Sequence, residues 1–156
     1  MTFARRKSAE AFTLIELVFV TAIIAIACAI VIPHWSNSVR NYQVTLAARR
    51  IAADLSWAQA CANSTSSSVT VTFNVTAGKY QLTGIPDPDR PNQPYAVDLT
   101  ADPYRASLGS ASFANATSIT FNGYGTPTQG GTVIVSSGGA QRTVTLDAAT
   151  GQVTIQ

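Results

Sequence analysis

A single carboxylate, Glu16, lies inside an otherwise apolar segment. The segment runs from residue 12 to residue 32, FTLIELVFVTAIIAIACAIVI, and it contains no basic residue. At 1.5 Å per residue, a helix of this length matches the hydrocarbon core of a bilayer, which is roughly 30 Å thick. An ionisable group inside a membrane span is costly and therefore indicates a function. The segment therefore predicts a membrane-spanning helix, and Glu16 is a candidate functional residue within it.

The remaining residues offer little for catalysis or metal binding. His34 is the sole histidine, and the chain has no nucleophile-elbow, phosphate-loop or zinc-protease motif. The pair Asp87 and Asp89 offers oxygen ligands for calcium, but the glycine and glutamate of an EF-hand loop are missing. Solvated turn residues are the preferred interpretation there, and Asp147 is likewise expected to form a turn. We expect no enzymatic activity, no metal and no cofactor.

Charge and cysteine content exclude two further classes of site. Of the ten Lys and Arg residues, three form the run at 5–7, and of the eight Asp and Glu residues one is Glu10, so the charges after residue 11 balance. No polybasic surface remains to bind nucleic acid through bulk charge. Cys28 and Cys61 would lie about 50 Å apart on one helix. They are therefore expected to be small packing residues and not a disulfide.

Charge and hydrophobic periodicity predict the elements formed by residues 1–62. The basic run should stay cytoplasmic, so the chain after Pro33 faces the opposite side of the membrane. Pro33 is expected to kink or terminate the helix, because it lacks an N–H and clashes one turn back. Residues 34–62 predict an amphipathic helix with Arg40, Arg49, Arg50 and Asp54 away from its apolar stripe. The predicted stripe consists of Val44, Ala48, Ile51, Leu55, Ala58 and Ala62.

From residue 69 the hydrophobic period changes to two, which is typical of strands. Residues 84–94 contain four prolines and are expected to form an irregular loop, and residues 101–116 are weakly patterned. The fold class is therefore α+β, with a long N-terminal helix packed on a small antiparallel β-sandwich-like head at residues 63–156. Strands are predicted at 69–75, 79–83, 95–99, 118–122, 132–136, 142–146 and 152–155.

Residues 11–17, AFTLIEL, resemble the N-terminal signature of the type IV pilin superfamily. In that superfamily a prepilin peptidase removes a short basic leader, the new N-terminal Phe is methylated, and a Glu five residues into the mature chain serves assembly. The resemblance implies a leader at residues 1–11, cleavage between Ala11 and Phe12, methylation of Phe12 and an assembly role for Glu16. Residues 12–33 then form a helix for the membrane and the filament core, weakened at Pro33. Ala11 departs from the usual Gly before the cut.

The rest of the chain resembles the GspH/FimT family of minor pseudopilins and minor pilins. The resemblance is carried by four segments, namely WAQA at 57–60, the strand at 69–75, ITFNGYGTP at 119–127 and GQVTI at 151–155. Some minor pilins of that family bind DNA through a C-terminal Gly-Arg-x-Arg motif. The corresponding residues here are Gly151-Gln152-Val153-Thr154, which lack both arginines, so nucleic acid is not an expected partner.

The resemblance implies a minor pseudopilin of a type II secretion system, rooted in the inner membrane with a periplasmic head. Its expected partners are other pseudopilins or pilins, the prepilin peptidase and the inner membrane itself. A minor pilin of a type IV pilus, acting in priming or DNA uptake, is the first alternative. The second alternative is a signal-anchored periplasmic binding domain that never polymerises.

Overall fold

A computed structural model describes residues 12–88 and 90–156, and its account of side chains leaves out residues 31–35. The predicted leader 1–11, with Ala11 of the cleavage site, lies outside the described residues. The same is true of Asp89 and of the side chains of Pro33 and His34. The chain divides into two units, Met1–Asn37 and Ser38–Gln156, which are described separately below.

One helix, α1, spans Leu14–Thr65 and contributes residues to both units. Thr13 caps its start, because the hydroxyl of Thr13 accepts a hydrogen bond from the Glu16 N–H at 3.3 Å. The Thr13 carbonyl accepts the first intrahelical bond from the Leu17 N–H at 3.2 Å. A threonine at this position followed by glutamate three residues later is the sequence of a capping box.

Of the two outcomes expected at Pro33, termination does not occur, since α1 continues for more than thirty residues beyond it, in agreement with the predicted long N-terminal helix. Proline removes only one backbone donor from the ladder, and the residues on either side retain theirs. A kink at Pro33 stays a prediction. The helix ends instead after Thr65, where Ser66 adopts a left-handed φ of 51°. The hydroxyls of Ser64 and Thr65 both donate to the Cys61 carbonyl in this last turn.

Eight strands follow the helix in the described part of the chain. Their order in the two four-stranded antiparallel sheets is β3-β2-β1-β5 and β4-β6-β7-β8. The predicted α+β class is confirmed. The strands are β1 Val69–Asn74, β2 Lys79–Pro86, β3 Pro94–Asp98, β4 Ser107–Ser112, β5 Ser118–Phe121, β6 Gly131–Ser137, β7 Ala140–Leu146 and β8 Val153–Ile155.

The largest differences from the predicted strands lie at β4 and β2. Strand β4 lies within residues 101–116, where its sequence SLGSAS gives almost no hydrophobic alternation. Its pairing with β6, from Ser107 opposite Ser136 to Ser112 opposite Thr132, supplies the order that its side chains do not signal. Strand β2 also extends to Pro86, into the segment predicted as irregular. There the register between β2 and the edge strand β3 shifts between Leu82 and Pro86. Pro86 and Pro94 therefore lie at an irregular part of the sheet edge, where proline is tolerated.

The core of the second unit is formed by one face of the helix and the inner faces of both sheets. All six residues of the predicted helical stripe are buried, and Ala47 joins them. The aromatic residues Phe113 and Phe121 are fully buried, and the rings of Phe73 and Phe113 stack at 5.7 Å. The predicted packing role of Cys61 is consistent with its half-buried position against this cluster. The small residues of the stripe allow the sheets to approach the helix closely.

Three glycines let turns of the head approach the end of helix α1. A Cβ on Gly123 would lie 2.7 Å from the Ser66 carbonyl oxygen, and one on Gly125 would lie 3.2 Å from the Gln59 carbonyl oxygen. Gly151, with a φ of 70°, faces the Gln59 amide, which donates to the Thr150 carbonyl at 3.2 Å. The ITFNGYGTP and GQVTI segments therefore lie against the same turns of the helix.

We expect replacement of Ile51 by Ala to lower the free energy of unfolding by about 2–5 kcal/mol, because Ile51 is fully buried between helix and sheets. Thermal or urea unfolding of the purified full-length chain, followed by circular dichroism, measures the change. Val39→Ala is the matched control, since Val39 lies on the same helix but is 42% exposed. Equal losses in both variants would contradict the described core.

Candidate assembly interface

The residues predicted to act in processing and assembly lie at the start of helix α1. Phe12 precedes the helix and is 75% exposed, and Glu16 occupies the third helical position with an exposed side chain. A carboxylate in the first turn interacts favourably with the positive end of the helix dipole. The Glu16 side chain is exposed, so its carboxylate is accessible to a partner.

The helix surface around Glu16 is apolar and exposed. Leu14, Ile15 and Leu17 flank Glu16, and Phe19, Ile23 and Ile26 continue the surface toward Cys28, which is also exposed. Among the helical residues whose side chains are described, no stretch is long and apolar enough to cross a membrane. An exposed apolar surface of this extent marks an interaction site. The described part of the first unit, residues 12–37, therefore presents one carboxylate, Glu16, on an exposed apolar helix.

The second unit contains a buried polar cluster that the sequence did not predict. Asp54 was expected to lie off the apolar stripe, but it is only 6% exposed. Its carboxylate accepts hydrogen bonds from the Tyr80 hydroxyl at 2.5 Å, the Arg50 guanidinium at 3.1 Å and the Tyr95 hydroxyl at 3.2 Å. Arg50 also donates to the Tyr95 hydroxyl. A buried charge is tolerated when it is paired and hydrogen-bonded, as it is here.

The cluster fixes helix α1 to strands β2 and β3. Burial, the negative charge of Asp54 and the hydrogen bond donated to it raise the pKa of Tyr80 above its ordinary value. Burial and the Asp54 charge raise the pKa of Tyr95 as well, although Arg50 opposes this. Both hydroxyls therefore remain protonated donors at neutral pH. The Trp57 ring packs edge-on against the Tyr95 ring, with the ring centroids 5.1 Å apart.

The two aspartates weighed as loop residues differ in their surroundings. Asp147 forms the expected turn, accepting bonds from the Thr150 N–H and hydroxyl at 2.8 Å, and these bonds lower its pKa. The expectation that Asp87 is solvated is wrong, because it is buried and bonded to Arg90 at 3.0 Å. The Arg90 guanidinium compensates the charge of the Asp87 carboxylate, which offsets the cost of burying it. Among the described residues, no group of three or more His, Cys, Asp and Glu side chains lies close enough to hold a metal.

The residues that correspond to the DNA-binding motif lie at the start of strand β8. Gly151 is buried, whereas Gln152 and Thr154 are exposed and neutral. Arg142, on the neighbouring strand β7, donates to the carbonyl of Gln141 at 3.0 Å. Strand β8 therefore presents no pair of cations at which a phosphate backbone would bind.

Comparison with known proteins assigns the greater part of the chain to one family. Residues 47–150 match the family described as type II transport protein GspH. Two crystal forms of the type IV minor pilin FimU from Pseudomonas aeruginosa (strain PAO1) share the fold, with TM-scores of 0.53 and 0.52 at 16% identity. The matches cover 74% and 72% of this chain and 89% and 91% of FimU. Among curated protein sequences, none matches the chain.

The Asp54 cluster predicts a pH dependence of stability. Because the folded state raises the pKa of Tyr80 above 10.0, the unfolded chain loses this proton first as the pH rises. The stabilisation is therefore complete below about pH 10 and is lost above it. Tyr80→Phe should lower the free energy of unfolding at pH 7 by about 1–3 kcal/mol, because Asp54 loses a donor. It should also flatten the decline above pH 10.

Urea unfolding of the full-length chain at pH 7, 9 and 11 measures both effects. Tyr42→Phe is the matched control, since Tyr42 is 68% exposed on the same unit. Parallel stability curves for the wild-type chain and Tyr80→Phe would refute the role assigned to this hydroxyl.

Proposed function

Because the chain belongs to the family of type II transport protein GspH, we propose that it is a minor pseudopilin of a type II secretion system. The chain is a minor pilin or pseudopilin, and its assignment to the filament of a type II secretion system is the proposed part. The observation that carries an assembly function is Glu16, exposed on an apolar helix. Between residues 12 and 39 it is the only residue among Asp, Glu, Lys and Arg.

The proposed pathway begins with removal of the leader. A prepilin peptidase cuts between Ala11 and Phe12, the new amino terminus of Phe12 is methylated, and residues 12–33 hold the subunit in the inner membrane with its head in the periplasm. The hydropathy of residues 12–32 supports the membrane location. The subunit then leaves the bilayer for the core of the filament, where the same apolar surface packs against other helices.

Glu16 would set the register between subunits. Cleavage exposes an α-amino group about one helical turn from Glu16. When a subunit joins the filament, the Phe12 amine of one chain pairs with the Glu16 carboxylate of another. Each charge gains a partner in surroundings where an unpaired ion is very unfavourable. A subunit placed one position off leaves both charges unpaired, so the pairing selects the correct position.

Two other functions remain as alternatives. A minor pilin of a type IV pilus is supported by the fold shared with FimU, which is a type IV minor pilin. An anchored periplasmic domain that never polymerises uses residues 12–32 only as an anchor. In that protein Glu16 has no role, so the consequence of replacing Glu16 distinguishes it from both filament subunits.

We expect Glu16→Ala to leave membrane insertion intact and to lower filament incorporation at least about tenfold, because one partner charge stays unpaired. Membrane fractionation and immunoblotting of sheared filaments measure the two properties. Thr21→Ala is the matched control, since its hydroxyl bonds only to the Val18 carbonyl of the same helix. Unchanged incorporation of the Glu16→Ala variant into filaments would contradict the pairing mechanism.

The strain that carries Glu16→Ala also distinguishes a secretion filament from a type IV pilus. A secretion pseudopilin predicts that Glu16→Ala reduces export of folded exoproteins and leaves pilus number and twitching motility unchanged. The reverse pattern would establish the type IV pilus alternative.

The head should not bind double-stranded DNA at physiological salt, because strand β8 offers no arginine pair. A gel-shift assay with the full-length chain is expected to show no complex at micromolar concentrations. Restoring the motif with Gln152→Arg and Thr154→Arg, both exposed, should produce salt-sensitive binding. Tight binding by the unsubstituted chain would instead favour an uptake pilin.

A further inference from the structure

The segment between strands β5 and β6 contains the single Asn-Gly pair of the sequence, Asn122-Gly123. The backbone nitrogen that follows an asparagine can attack the side-chain amide carbon, and glycine hinders this attack least because it has no Cβ. The attack closes a succinimide ring and releases ammonia. Water then opens the ring at one of its two carbonyl groups and leaves aspartate or isoaspartate. Asn122 is exposed, so water reaches its side chain.

The folded turn holds the Asn122 side chain away from this reaction. Its Oδ1 accepts hydrogen bonds from the Tyr124 N–H and the Thr126 N–H, both at 3.0 Å. The Asn122 carbonyl accepts a bond from the Gly125 N–H at 2.8 Å, and the Asn122 N–H donates to the Thr126 carbonyl at 3.0 Å. Ring closure requires the side chain to turn from its two donors toward the Gly123 nitrogen. The turn must therefore open before Asn122 reacts.

Contact with the end of helix α1 opposes this opening. A Cβ on Gly123 would lie 2.7 Å from the Ser66 carbonyl oxygen, so the backbone of the turn already touches the helix end. Gly125 is buried with a φ of 75°, and a Cβ there would lie 3.2 Å from the Gln59 carbonyl oxygen. Opening the turn therefore separates it from the helix, which is a local unfolding event with a free-energy cost.

The two products of deamidation affect the turn differently. Aspartate leaves the main chain unchanged, and its carboxylate accepts the same two N–H bonds as the Asn122 amide oxygen. Isoaspartate passes the main chain through the side-chain carbons, which lengthens the turn by one methylene group and converts the accepting oxygen into a main-chain carbonyl. Gly123 and Gly125 leave no space for a longer turn against the helix. Isoaspartate at position 122 should therefore prevent the turn from packing on α1.

We propose that Asn122 is a deamidation site that the native fold keeps closed, and that isoaspartate at this position marks chains that stayed unfolded. A chain that packs the turn promptly keeps its asparagine. A chain that does not pack the turn acquires a product that hinders packing. The inference concerns the head alone and does not depend on the filament that the chain enters.

The test compares the purified full-length chain, folded and unfolded in urea, at the same pH and temperature. Tandem mass spectrometry of the tryptic peptide 106–142 measures deamidation at Asn122, and protein isoaspartyl methyltransferase measures isoaspartate. We expect the folded chain to deamidate at least about tenfold more slowly, because only the open turn reacts. Equal rates in the folded and unfolded chains overturn the inference.

Gly125→Ala tests the role of the helix contact. Alanine is strained at a φ of 75° and crowds the Gln59 carbonyl, so the turn opens more often. The folded variant should deamidate at least about threefold faster than the unsubstituted chain. Gly139→Ala is the matched control, because Gly139 also has a positive φ, 96°, but a Cβ there meets no atom within 4 Å. Its rate at Asn122 should equal that of the unsubstituted chain.

An unchanged rate in Gly125→Ala overturns the role of the contact, as does an equal acceleration in Gly139→Ala. If Gly125→Ala does not fold, urea below the unfolding transition opens the turn of the unsubstituted chain instead. The deamidation rate at Asn122 should then rise with urea concentration, and a constant rate overturns the inference.

The effect of the products is measured on chains aged in urea and then refolded. Isoaspartate should be enriched at least about fivefold in the chains that fail to refold, because the longer turn does not fit. Asn122→Asp, which carries the aspartate product alone, should keep the urea midpoint of the unsubstituted chain. Equal isoaspartate in refolded and unfolded chains overturns the inference, and so does a large loss of stability in Asn122→Asp.

Discussion

Burial of one helical stripe is the interaction on which the head of this protein depends. From Val44 to Ala62 the helix offers side chains that are mostly small, and the inner faces of two four-stranded sheets close over them. Because each sheet has an apolar face that must be covered, neither is stable without the helix and the other sheet. The glycine turns at Gly123 and Gly151 then lie against the last turns of the same helix, where side chains would clash or strain the backbone.

The Asp54 cluster gives this packing a specific geometry. Apolar contact alone allows the helix to slide or rotate by small amounts against a smooth sheet surface. A carboxylate that must meet the hydroxyls of Tyr80 and Tyr95 permits one position, because any displacement leaves a buried charge short of donors. Arg50 supplies the compensating charge from one turn away on the helix. Glu16, the residue proposed to act in assembly, lies on the exposed apolar helix of the first unit. The stability of the head and the proposed assembly role thus depend on different residues of one helix.

The amino-acid sequence by itself determined the class of the protein and most of its elements. Periodicities of 3.6 and 2 are local properties, so the helical stripe and seven of the strands could be placed without coordinates. Residues 11–17 and the segments near Gly123 and Gly151 carried the family, which the match over residues 47–150 then established. The candidate site at Glu16 was also evident, since one carboxylate in an apolar segment is conspicuous in any sequence.

Only the tertiary structure decided which polar residues are buried and which surfaces remain open. Asp54 was placed on the polar side of the helix because local periodicity cannot foresee two tyrosines arriving from strands β2 and β3. Strand β4 escaped detection because its order comes from pairing with β6 and not from its own small residues. Helices were predicted on both sides of Pro33, but only the structure decided that they form one uninterrupted helix. Which side of the helix stays exposed likewise depends on where the sheets pack, and tertiary packing alone determines that side.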